Sequence, residues 1–450
     1  MYRGSQVENI LKKEINYPYL TRPVEIYERE NGHKIVLAHK EGGLVNVSSW
    51  VKTGSINEND ENNGISHFLE HLMFKGTHKH KAGYFDKTLE AKGAIVNAAT
   101  WKDYTFYYVT LPKGPNDAYL KEAVELHADM MLDPVIPEDE IGPAFTLGDD
   151  NVSQKRERHV VIEEIRMRQD QPWTKIYNST NKNMYTSHPY RRDVIGFPET
   201  IASIPRETIL DYYRTHYTPN NITTIVAGDF DHEKVLELLC KEFDFKGRKN
   251  FQNPQHQLDK PVDEAKYIEL RGKINTGFAI TGWLGPVARD LKANIALEII
   301  NIILGEGQSS RLYQNLIEKV AEPVFNVVAT DFYNFKDGGN FFVQANYKAD
   351  KKDEALELIK SELEKLLKGD MTEREFNKAK KKLKARFAES AETVSDIAEN
   401  IGYYMTVCDD LDLVEQYSEA LDSITMNEVN EAVQKYLSLN HSVTTVLLPE

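Results

Sequence analysis

The sequence has almost no means of covalent reinforcement: two cysteines, Cys240 and Cys408, in 450 residues, far apart and in no Cys-x-x-Cys arrangement. A disulfide scaffold is thereby excluded, and the pair reads as buried thiols in a reducing compartment. Basic charge is also short, with 55 Lys and Arg against 70 Asp and Glu and a net charge of −15. No basic run with interleaved aromatics occurs, so a nucleic-acid partner is not expected. Long hydrophobic runs are missing too. The most apolar helical stretch, 295–304, is short and contains Glu298, so no membrane span is expected. Residues 1–26 are polar and charged without an apolar core, which argues against a secretory signal and makes the cytoplasm the expected location. What is present suffices for a folded core, with 41% hydrophobic and 10% aromatic residues. At this length one core is too few, and about two to four domain units are expected.

Chemistry concentrates in Gly64-Ile65-Ser66-His67-Phe68-Leu69-Glu70-His71-Leu72-Met73-Phe74. The segment has helical spacing and, after Gly64, neither Pro nor Gly. Residues four apart stand one turn above each other, so His67 and His71 can face one ion. Glu70 shares that side and can reach a water without displacing a ligand. The pattern matches the His-x-x-Glu-His signature of a class of zinc peptidases. Burying two His and a Glu among Phe68, Leu69, Leu72 and Met73 without partners would be costly, which favours a metal over chance. A catalytic zinc takes three protein ligands and leaves one position open, so a third must come from elsewhere.

Around this motif, Glu25 to Leu37 and Leu44 to Thr53 alternate as paired strands. Tyr84 to Lys92 reads as helix, Ala94 to Ala99 and Asp103 to Leu111 as strands, and Ala118 to Met131 as an amphipathic helix. Ile141 to Gln154 has no periodicity and reads as a loop or insertion. Lys155 to Arg168 returns to helix. Helices Ile209 to Tyr217 and His232 to Phe243 flank a strand at Ile222 to Ala227. Polar, proline-bearing residues 246–263 are the best linker, dividing the chain into 1–245 and 264–450. The second half, from strand-like Ile268 to Trp283 and helix Asn294 to Leu304, repeats the first in outline. At an offset of 220, Ser203-Ile204 matches Ser423-Ile424, Ile209 matches Val429, Asn220 matches Asn440, and Thr224 and Val226 match Thr444 and Val446. A duplication is expected.

The outstanding source of a third ligand is Glu157-Arg158-His159-Val160-Val161-Ile162-Glu163-Glu164-Ile165. Glu157, Val160, Val161 and Glu164 fall on one helical stripe, putting two acids on an apolar face where a cation or metal is needed. Glu163 reads as solvated.

With these segments on view, the chain resembles the pitrilysin/insulinase (M16) family of metallopeptidases, in the two-domain branch that includes mitochondrial processing peptidase. The residues carrying the likeness are Asn63-Gly64 with His67 to Thr77, Asn97-Ala98-Ala99-Thr100 with Tyr107-Tyr108, Glu157-Arg158 with Val161 to Glu164, and Leu304-Gly305 with Ser309 to Tyr313.

The resemblance implies an α+β fold of two homologous units, each an antiparallel-dominated sheet with helices on one face, in the LuxS/MPP-like metallohydrolase architecture. It implies one Zn2+ held by His67, His71 and Glu164, with Glu70 as the base and Glu157 supporting the site. Asn97 and Ala98 match the strand that pairs with an extended peptide. The gap from His71 to Glu164 is longer than usual, and the 141–154 stretch accommodates the excess. Members that act alone carry an Arg and a Tyr seven apart in the second half; the matching positions here are Ile317 and Val324, which cannot donate hydrogen bonds. The expected function is therefore a zinc endopeptidase working with a homologous subunit that supplies those groups, with a homodimer as an alternative assembly. A non-catalytic structural or peptide-binding subunit is the competing expectation.

Overall fold

A computed structural model describes residues 10–148 and 156–450. Two compact units emerge, and neither is contiguous in sequence. The first comprises Met1–Arg166, Asp193–Gln255 and Ala388–Glu415; the second comprises Met167–Arg192, His256–Phe387 and Gln416–Glu450. A contiguous division at 246–263 separates the strands of the two sheets. The compact units, by contrast, also exchange segments, 167–192 in one direction and 388–415 in the other.

The first unit is built on seven strands, β1 (Leu11–Ile15), β2 (Val24–Glu28), β3 (Lys34–His39), β4 (Leu44–Val51), β5 (Ile95–Thr100), β6 (Thr105–Pro112) and β7 (Ile222–Gly228). Their order is β1-β2-β3-β7-β4-β6-β5. All pairs are antiparallel except β3 with β7. The β6 residues alternate in burial, with Thr105, Tyr107, Val109 and Leu111 turned into the core and Phe106, Tyr108 and Thr110 half-buried on the other face, as period-two geometry requires. Helices Ile65–Met73, Ala118–Leu132 and Glu157–Gln169 supply buried residues to the core on the first face. One further helix, Val394–Tyr403, packs over β4 and β7 on the opposite face. Gly402 makes this approach possible: a Cβ there would lie 1.9 Å from Cε2 of the buried Trp50 ring.

The second unit has five strands, β8 (Lys266–Gly272), β9 (Gly277–Gly285), β10 (Phe325–Phe335), β11 (Gly338–Tyr347) and β12 (Val443–Pro449), ordered β10-β11-β9-β12-β8. Read from the other side, this is the sequence of connections β3-β7-β4-β6-β5 again, including the one parallel pair, β8 with β12. The predicted echo is therefore structural. Helices Arg206–His216 and Met426–Tyr436 lie 220 residues apart at both ends, and each leads into its sheet's closing strand. Helix Leu291–Leu304 follows β9 as the His-bearing helix follows β4 in the first unit, but it carries no His and buries Asn294 with Ile, Leu and Ala. Helix Pro172–Met184, from the first half of the chain, packs on β9 and β12.

Among the described residues no helix is long and apolar enough to cross a membrane. Of the expected insertion, Ile141 closes the short helix Glu138–Ile141 and is buried, and Gly142 to Gly148 forms no helix or strand, with Phe145 and Leu147 packed against the core. Its remainder, and Lys155 at the start of the expected helix, lie outside the described residues.

Candidate metal centre

The helix Ile65–Met73 buries Ile65, Phe68, Leu69, Leu72 and Met73, which leaves His67 and His71 on the half-open side. Its start is held by a group the sequence reading overlooked. Glu58 is buried, and its carboxylate accepts hydrogen bonds from the backbone N–H of Gly64 (2.7 Å) and Ser66 (2.9 Å) and from Asn63 Nδ2 (2.7 Å). An anion at a helix N-terminus satisfies orphan donors and meets the positive end of the dipole. Gly64 sits at φ +95°, with Ile195 O only 2.7 Å from where a Cβ would stand, so glycine is required there.

The second helix, Glu157–Gln169, buries Arg158, Val161, Ile162 and Ile165. Val160, expected on the acidic stripe, is instead 47% exposed; the stripe narrows to Glu157, Val161 and Glu164, whose spacings of four and three keep one face. Glu163 pairs with Arg166 at 2.6 Å in solvent, as its pattern suggested. Arg158 is fully buried. Its guanidinium donates to the carbonyls of Ala202 and Ile204 and lies 5.8 Å from the ring of Phe68, so it clamps this helix against the motif helix.

The two helices bring His67, His71 and Glu164 together, with ligand atoms all within 4.8 Å of one another. Glu164 Oε2 lies 3.8 Å from His67 Nε2 and 3.5 Å from His71 Nε2. Ligands ~2.0–2.2 Å from a tetrahedral zinc stand about 3.3–3.6 Å apart, so two imidazoles and one carboxylate close to these distances suit that ion. Glu157 Oε1 is 2.8 Å from His71 Nδ1, and its other oxygen is 2.5 Å from Lys75 Nζ. This fixes the ring so that Nε2 faces the triad. Glu70 is 9% exposed and accepts a 2.5 Å hydrogen bond from Thr100 Oγ1.

Charge follows geometry. Burial pulls the His71 imidazolium down, but Glu157, Glu164 and Glu70 outweigh it and push its pKa up to about 9. Burial pushes Glu157 up, and the hydrogen bonds from His71 and Lys75 overcome it, holding the carboxyl below its ordinary range. For Glu70 burial wins over the Thr100 hydrogen bond and the carboxyl is raised, with the Glu164 charge adding to the effect. A carboxyl raised by burial beside two imidazoles is better suited to proton exchange than one at its ordinary value. Asn97 and Ala98 lie on β5, the last strand of the sheet. By strand alternation Ala98 turns toward the core and Asn97 away from it, and Asn97 Oδ1 accepts from the Ala98 N–H at 2.9 Å.

Residues 34–196 match the family described as Insulinase (Peptidase family M16), and residues 203–383 match the Peptidase M16 inactive domain. Zinc protease PqqE of Helicobacter pylori is 31% identical over 435 residues, covering 93% of this chain and 91% of that protein. The chain belongs to peptidase family M16. A second relative, from Arabidopsis thaliana, is named a probable mitochondrial-processing peptidase subunit beta, 25% identical over 87% of this chain and 72% of its own length. The crystal structure of a protease from Helicobacter pylori superposes with a TM-score of 0.85 at 28% identity, covering 96% of this chain and all of that one. The α+β duplication expected from sequence is thus the M16 fold.

Three site residues had no role in the sequence reading. Glu58 lies six residues before Gly64 across a loop, and nothing local marks it as a cap. Thr100 and Lys75 fall inside the family-like segments, but their carboxylate partners come from other elements and carry no signal in spacing.

Proposed function

We propose that this M16 chain is the zinc-bearing component of an endopeptidase. The observation that carries this reading is the convergence of His67, His71 and Glu164 with Glu70 beside them. Those three residues would hold the metal. Bound zinc supplies Lewis acidity, polarising a carbonyl and acidifying water. Glu70 takes a proton from the attacking water and returns it to the leaving amine. Thr100 keeps the Glu70 carboxylate oriented, and Glu157 with Lys75 holds His71 in place. An extended peptide pairs with the free edge of β5 near Asn97 and Ala98, where main-chain bonds accept many sequences.

The partner reading rests on the second half. Ile317, in the helical segment Gln314–Glu318, and Val324, 7% exposed, offer no donor to a scissile carbonyl. Losing such donors typically costs ~3–4 kcal/mol of transition-state stabilisation. A homologous chain that contributes the Arg and Tyr accounts for this, and one relative bears the name of a processing-peptidase subunit. The alternative, a non-catalytic subunit, is favoured by the description of residues 203–383 as an inactive domain, but would leave the four motif residues without purpose.

The test is zinc content and peptide cleavage by the chain and by Glu70→Gln, each with and without a candidate homologous chain. Zinc retained with cleavage abolished in Glu70→Gln is expected, as is activity only in the mixture. Cleavage by Glu70→Gln at the parent rate removes the assigned base.

A further inference from the structure

The first sheet carries a second constructed feature on the face away from the motif helix. Register fixes its membership: Asn46, Ser48 and Trp50 of β4 stand opposite Thr110, Tyr108 and Phe106 of β6. The alternate residues of β6, Tyr107 and Val109, belong to the core on the metal-site side. Helix Val394–Tyr403 covers β4 and β7 and stops short of the edge strand β5. Beside it lies a cavity of about 140 Å³. Its floor is aromatic, with Phe106 stacked on Tyr108 at 5.7 Å and on Trp50 at 4.3 Å. Glu399, from the helix, stands at its exposed rim.

The unsatisfied polar groups lining this cavity are one acceptor, one hydroxyl that can donate or accept, and the indole N–H of Trp50, which can only donate. Asn46 and Ser48 are each 1% exposed, yet Asn46 Oδ1 and Ser48 Oγ have no hydrogen-bond partner among the described residues. The Asn46 amide nitrogen is already committed, donating to Thr110 Oγ1 at 2.8 Å, so the oxygen that remains can only accept. Glu399 has no Lys or Arg in ion-pair range among the described residues, and Asp396, one turn earlier, adds a second negative charge. Asn46 Oδ1, the Ser48 hydroxyl, the π-faces and a carboxylate without a basic partner together suit a ligand that brings N–H donors, positive charge and an apolar stem.

We propose that this cavity binds an ammonium or guanidinium group on a short alkyl stem. The stem lies on Phe106 and Tyr108, the head donates to Asn46 Oδ1 and Ser48 Oγ, and Glu399 supplies the opposing charge. Such a group occurs both in free amines and in the basic side chains of peptides. The second source is sterically open, because Asn97 and Ile95 of β5 project onto the same face. The site is separate from the metal centre, and its occupancy requires neither zinc nor turnover. Failure of the peptidase reading therefore leaves it standing.

Calorimetric titration of the full chain with n-butylammonium and n-butylguanidinium, against n-butanol and butyrate, is the test. One saturable site per chain is expected for the cations, with the neutral and anionic isosteres at least about tenfold weaker. Glu399→Gln, at an exposed position, should weaken cation binding about two- to fivefold, and Ser48→Ala should weaken it further with the thermal midpoint checked in parallel. Lysine-containing tripeptides that displace n-butylammonium, where norleucine analogues do not, assign the site to peptide side chains. Displacement by free amines alone assigns it to small molecules, and either supports the proposal. Equal affinity for n-butanol, unchanged binding in both variants, or a crystal structure from cation-soaked crystals with the cavity filled by the four or five waters it could hold at ~30 Å³ each overturns it.

Discussion

Replacing Glu157 by Gln isolates the charge behind His71 from the shape around it. The amide keeps an acceptor oxygen for the imidazole N–H, so the 2.8 Å contact and the ring orientation can persist. Lys75 loses its 2.5 Å partner but retains Glu140 at 3.7 Å, which limits local damage. Carboxylates placed behind a metal-ligating imidazole are typically worth 10–100-fold in metal affinity, or about 1.4–2.7 kcal/mol. An opposing effect has to be weighed. The same carboxylate helps hold a proton on His71 up to about pH 9, and zinc must displace that proton. The competition fades as pH rises through that value, so the variant's deficit should be larger near pH 9 than near pH 7. Competition titration against a chromophoric zinc chelator at both pH values measures this without any turnover. Affinities within about twofold of the parent at both would refute the argument that Glu157 tunes the site.

Thr100→Val removes the hydrogen bond that lowers the Glu70 pKa while leaving the burial that raises it; the acid limb of kcat/KM should move to higher pH, and an unmoved limb would exclude Glu70 as the group titrating there. His127 is fully buried beside Ser49 and its pKa is lowered by burial from 6.5 to about 3. Its folded state resists protonation, so its stability contribution is complete above pH 6.5 and is lost as pH falls from 6.5 toward 3, about 2 kcal/mol by pH 5. Urea titrations at pH 7 and 5 should show a smaller difference for His127→Gln than for the parent. Gly402→Ala places a methyl 1.9 Å from Trp50 Cε2, and overpacking of this kind typically costs ~1–3 kcal/mol; a thermal midpoint equal to the parent's would mean the helix shifts freely.

The parts that were legible in the sequence are those written in local spacing. His67, Glu70 and His71 share a helical face because three and four are helical intervals, and Glu157 and Glu164 share theirs for the same reason. The 220-residue echo was readable because both copies of the helix and closing strand kept their lengths. Val160 was misplaced because a stripe read from sequence is wider than the face that packing buries; the eight residues from Glu157 to Glu164 cannot tell which side of Val161 meets the core. The roles of Glu58, Thr100 and Lys75 were hidden because each acts on a partner from another element. The exchange of 167–192 and 388–415 was equally hidden, since an amphipathic helix advertises its apolar face but never which sheet will receive it.

That exchange sets a timetable for synthesis. Every candidate metal ligand has been translated by residue 164, but the helix that shields the far side of their sheet arrives only at 394–403. Until then Trp50 and its aromatic neighbours stay uncovered, so the nascent chain holds its ligands in an unfinished layer for more than half its length. Cutting the gene at 246–263 would preserve that condition permanently, because the amino-terminal piece would never receive its last helix.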